Sequence, residues 1–192
     1  RVEILESIFT SLPHGHPLAS FHPEKGFVYL RDVADRIKHI KSYGYTAEEY
    51  LLVVKELTKE YEQINKLLVS WPDRLSIKNL GDVEGIALSL KALKGTTSLY
   101  LAKILLLAIT ETESLGKTEP LADWKAKFTV KEEGKVMLKD SYNQEKLLAV
   151  AELYKKYSDA MYQKGLYDYD DMIIQVAHAL KEHEVLRTSL EE

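Results

Sequence analysis

The chain has 192 residues, of which 45% are hydrophobic and 29% charged, so it is long enough to bury a core and ordinary for a globular protein. A formal net charge of -4 argues against a protein that coats nucleic acid over its whole surface, while leaving room for a local basic patch. Cysteine is absent, which removes disulfides, thiol catalysis and thiolate metal sites and fits a reducing cytoplasm. The longest apolar run, Ile104 to Ile109, is too short to span a bilayer, so no membrane partner is expected. No secretory leader is recognisable at the start, and a first residue other than Met leads us to expect an excised piece.

The chain reads as mainly α: an irregular helical bundle with one small β-hairpin at about 126–139, forming a single helical domain over 1–192. Ile4, Leu5, Ile8 and Leu12 place a first helix over 1–12, stopped by Pro13, Gly15 and Pro17. Residues 13–28 read as loop, with a short extended piece at Phe27-Val28-Tyr29. Val33, Ile37 and Ile40 line one face of a helix over about 31–42, with Gly44 as its stop. Thr46 and Glu49 form a capping box opening a helix to about Val69, which Trp71-Pro72 breaks. Ile86, Leu90 and Leu93 mark the next helix, closed by Gly95. The helix from Ser98 to about Glu113 is so broadly apolar that a core position is expected.

Residues 116–123 read as a polar connector. Around Glu132-Glu133-Gly134-Lys135 the period changes to two, the mark of a hairpin with a Gly-containing turn. Asn143 is the expected cap of a long helix with Leu147, Val150, Tyr154, Tyr157 and Met161 on one stripe. Gly165 suits the left-handed position that ends it. Asp168 suits the N-cap of a last helix, about 169–181, with Asp170 or Asp171 donating an amide. Tyr169 is expected beneath the preceding helix, and Met172, Ile173, Val176 and Leu180 are expected to be buried.

Phosphate-handling motifs are missing. No G-x-x-x-x-G-K-[ST] loop occurs, so there is no backbone nest with a lysine to meet phosphates, and no D-E-x-Q-D run exists. The chain alone is expected neither to bind nor to hydrolyse ATP, and no residue is assigned to catalysis, cofactor or metal. Asp168, Asp170 and Asp171 offer oxygen ligands of the kind Mg²⁺ takes. Aspartates are equally at home at an N-cap and in a first helical turn, and the spacing favours that reading. His14, His16 and His22 share one loop without a third close metal ligand and read as loop histidines. Basic residues carry more weight: Arg31, Arg36, Lys38 and Lys41 on one helix, and Lys127 and Lys135 on the hairpin, with Trp124 and Tyr142 nearby, are candidates for tracking a phosphate backbone.

The run Gly165-Leu166-Tyr167-Asp168-Tyr169-Asp170-Asp171-Met172 resembles the G-L-x-D-[FY]-x-D-[LM] segment of UvrD/Rep-type superfamily 1 DNA helicases. Upstream, Ile37-Lys38-His39-Ile40-Lys41-Ser42-Tyr43-Gly44-Tyr45-Thr46-Ala47-Glu48-Glu49 is similar to the family's helix, glycine and capping-box run, with Ala47 where relatives often carry Pro. The order of elements is similar to the family's accessory subdomain 1B, with Gly165, Asp168, Tyr169 and Asp171 as the structural motif beyond it. The resemblance implies a parent that binds ATP and Mg²⁺, translocates on single-stranded DNA and separates duplexes in repair or recombination. It implies DNA and the remaining helicase domains as partners, with the V-D-E motif expected just after Glu192. The rival expectation is a stand-alone helical protein-interaction module.

Overall fold

The computed structural model describes residues 2–191, with the side chains of Tyr142, Leu190 and Glu191 outside that description. It is mainly α, with small hairpins as its only strands among the described residues. Where a single domain over 1–192 is expected, the chain groups into two compact units: 1–55 with 145–192, and 56–144. The chain leaves the first unit through one helix and returns through another, a path that hydrophobic periodicity does not reveal.

The first unit begins with α1 (Val2–Thr10), which buries Ile4, Leu5 and Phe9. The expected loop over 13–28 contains a miniature ribbon, β1 (Phe21–His22) and β2 (Gly26–Phe27), with Phe21 paired to Phe27. Then α2 (Leu30–Ser42) buries Val33, Ile37 and Ile40, as its spacing requires. The helix α3 (Ala47–Leu68) opens on the expected capping box: Glu49 N donates to Thr46 Oγ1 at 3.2 Å, and Thr46 N donates to Glu49 Oε2 at 2.9 Å. Its first turns belong to this unit. After the second unit the chain returns as α7 (Gln144–Gln163), then α8 (Tyr169–Glu182) and a final short helix, α9 (Glu184–Glu191), that the sequence did not announce. Phe9, Val33, Leu153 and Tyr154 fill the centre of this unit, each 2% exposed or less.

The second unit holds the rest of α3, then α4 (Leu80–Ala92), α5 (Thr96–Leu115), α6 (Glu119–Phe128) and the hairpin β3 (Thr129–Glu132) with β4 (Lys135–Leu138). The polar connector expected over 116–123 is largely helix: Pro120 sits in its first turn, where it costs no hydrogen bond, and Leu121 and Trp124 face inward. The hairpin is shorter than expected because α6 takes residues up to Phe128, Lys127 included. Glu133 and Gly134 both have positive φ, 47° and 81°, the two-residue turn that matches strand twist. Asn65 of α3 anchors the ribbon by accepting from Leu138 N at 2.8 Å. A 3₁₀ turn over Lys139–Asn143 replaces the simple Asn143 cap, and α7 begins one residue later. Ile64, Leu68, Leu90, Leu105 and Leu121 form the centre of this core.

Candidate functional site

Gly165 has φ +63°, and Leu166 N donates back to Met161 O at 2.9 Å, so α7 ends in the left-handed stop its sequence promises. Three residues on, Asp168 caps α8: its Oδ1 accepts from Asp171 N at 2.9 Å, while Asp171 Oδ2 accepts from Asp168 N at 3.1 Å. The expected cap is therefore a reciprocal box, with Asp171 in the third helical position.

Lys41 completes the cluster. Its ammonium lies 2.8 Å from Asp168 Oδ2 and 2.5 Å from Asp171 Oδ1, and the residue is only 3% exposed. The rings of Tyr157 and Tyr154 stand 5.4 and 5.9 Å from it, close enough for cation–π attraction. One buried cation thus ties the last turn of α2 to the first turn of α8. Burial by itself pushes the Asp168 carboxyl up, but the hydrogen bond from Lys41, the Asp171 amide and the Lys41 charge together bring it below its ordinary value. Burial, then the Asp171 and Asp168 charges, raise Tyr154, whose hydroxyl donates to Tyr45 O at 3.0 Å.

This arrangement corrects two expectations. Lys41 is not a phosphate contact, because it is buried and paired with two carboxylates. Tyr169 does not pack beneath α7 but is 73% exposed. The oxygens of Asp168 and Asp171 that a divalent ion would need are committed to Lys41 and to backbone amides. Among the described residues no group of three or more His, Asp or Glu is placed to hold a metal ion. In the loop, His16 Nδ1 accepts from Leu18 N and His22 Nδ1 from Glu24 N, both at 3.2 Å. Burial first, then the Lys156 charge, lowers the His16 imidazole.

The other basic candidates divide between the units. Arg31, Arg36 and Lys38 are exposed on α2, with Asp32 and Asp35 also in water beside them. Lys127 and Lys135 are exposed in the second unit, Lys127 with its ammonium 5.2 Å from the Phe128 ring. Trp124 offers no base-stacking platform: it is 3% exposed and stacked on Trp71 at 5.1 Å. The Tyr142 side chain lies outside the described residues.

The outer face of α8 is the feature that sequence reasoning placed wrongly. Met172, Ile173 and Val176 are 54, 51 and 57% exposed, and Ile174 is the residue the helix buries. With Tyr169 they form an i, i+3, i+4, i+7 stripe, the spacing of a helix face that packs on something. No helix among the described residues is long and apolar enough to cross a membrane. No known family, curated protein or solved structure matches the chain.

Proposed function

We propose that the chain is a DNA-facing, non-catalytic part of an ATP-driven UvrD/Rep-type helicase, comprising a subdomain of the 1B kind and the helix that follows it. The observation that carries the reading is α8: the helix bearing the Asp168-Tyr169-Asp170-Asp171-Met172 run is fixed at its start by Lys41, while its apolar stripe stays uncovered. An apolar helix face exposed to this degree marks an interaction surface. In a helicase the cover would be the motor domain into which this segment leads, where ATP and Mg²⁺ would act. The exposed Arg31, Arg36 and Lys38 of α2 supply a local phosphate-binding edge on a chain whose net charge is -4.

The reading is tested by binding a labelled single-stranded oligonucleotide over a series of salt concentrations. Each phosphate contact on a single strand contributes about 0.7 to the slope of log K against log salt, so replacing Arg31, Arg36 and Lys38 together with Gln should reduce the slope by about 2. All three are exposed, so the fold should survive. Unchanged affinity and slope in the triple variant would remove α2 from the DNA path.

A further inference from the structure

The helices α4 and α5 form a hairpin whose inner face, Ile86, Leu90, Leu101 and Leu105, is buried in the second unit's core. The core position expected of α5 holds on this face, while on its other side Leu99 and Leu107 are 43 and 53% exposed. Along α5 lies an open groove of about 440 Å³, lined by Leu99, Leu106 and Leu107 together with Lys103, Thr110 and, from α4, Lys91. None of the described residues lining it carries a carboxylate. Thr110 Oγ1 donates to Leu106 O at 3.0 Å, so its hydroxyl hydrogen is spent within α5.

We propose that this groove docks an amphipathic helix of a partner protein, one that carries an apolar stripe flanked by carboxylates. The proposal is independent of the DNA reading, which rests on the first unit. Leucines set out along one helix suit the i, i+3, i+4, i+7 anchors of a helix laid in a groove. The two exposed lysines beside these leucines select carboxylates next to its apolar stripe by complementarity, which governs specificity more than raw affinity. A small polar ligand lacks the convergent polar groups that would orient it. Recognition of an anionic bilayer takes a cluster of about 4–8 basic residues, whereas this groove has two lysines.

Two labelled synthetic helical peptides with identical leucine stripes decide the matter, one with Glu flanks and one with Lys flanks, each titrated against the full chain. The acidic peptide should bind about tenfold more tightly than the basic one, the size expected of two rim charge pairs. Lys91→Glu with Lys103→Glu should reverse that order, and Leu107→Asp should abolish both. Because all three side chains are exposed, circular dichroism of the variants should match the parent. Equal binding of the two peptides, no binding of either, or no reversal on charge swap would overturn the proposal. So would preferential binding to phosphatidylserine vesicles, or self-association of the chain that Leu107→Asp disrupts.

Discussion

Replacing Lys41 with Met separates a structural ion cluster from a DNA contact. The ammonium is 2.8 Å from one carboxylate and 2.5 Å from another, with the lysine side chain 2% exposed. Its removal leaves the Asp168 and Asp171 carboxylates beside each other without that counter-charge. Breaking a buried pair in this way costs about 3–5 kcal/mol. In a chain of this length each kcal/mol lowers Tm by about 2–4 °C, so a fall of about 6–20 °C is expected. Asp168→Asn keeps a capping oxygen and loses one negative charge, whereas Asp168→Ala also loses the cap, worth about 0.5–2 kcal/mol more. Combining Lys41→Met with Asp168→Asn should recover part of the loss, a coupling of about 1–3 kcal/mol. The pH dependence has a definite sign. The folded Asp168 carboxyl lies below its ordinary value of 3.8, so its stabilisation is complete above that value and fades as pH falls through the lower folded one. Asp168→Asn should flatten this part of the acid limb. Thermal melts of the parent and the four variants across acid pH provide the readout. A Lys41→Met variant that melts with the parent, or two substitutions that simply add, would refute the reasoning.

Gly95 faces the carboxylate that caps α5: an added Cβ would fall 2.1 Å from Glu60 Oε1, which accepts from Ser98 N at 2.7 Å. Gly95→Ala should therefore displace that cap and cost about 0.5–2 kcal/mol in urea unfolding, with an unchanged m-value. Gly165→Ala forces a side chain into a φ of +63° and should cost about 1–2 kcal/mol by the same measurement. Val176→Lys with Ile173→Glu on the open face of α8 should leave the isolated chain within about 0.5 kcal/mol of its parent, because neither side chain is buried. A larger loss would mean that this face is covered within the chain itself.

Local signals were legible where one short run of residues decides the geometry. The box at Thr46–Glu49, the cap at Asp168 and the stop at Gly165 fold as their sequences require, since the groups that satisfy each other are neighbours in the chain. The long-range partners were not legible. Helical spacing sets Lys41, four residues after Ile37, beside the apolar face of α2 and Lys38 away from it, but does not reveal that carboxylates hold the one against α8 while the other lies in water. The difference arises from a pairing across 127 residues. Glu60 capping α5 from another helix is hidden in the same way. The helix α6 is hidden because its inward residues Leu121, Trp124 and Phe128 are few and it begins on a polar run that reads as loop.

The face of α8 was misread for a more instructive reason. Periodicity identifies which stripe of a helix gains from burial, and in α8 that stripe is Met172, Ile173 and Val176. It says nothing of which body provides the cover. Within this chain α8 instead turns inward Ile174 and a capping aspartate held by a buried lysine, leaving the more apolar side in water. An ion cluster is weak evidence for stability but holds one fixed orientation, since a small rotation of the helix would strand Lys41 without its partners. Asp168 and Asp171 thus act as a register pin that commits the apolar stripe outward. A chain that folded only for itself would gain more by rotating Met172 and Val176 inward, at about 1.5–3 kcal/mol for each side chain fully buried. The outward pin makes physical sense where a larger body covers that face.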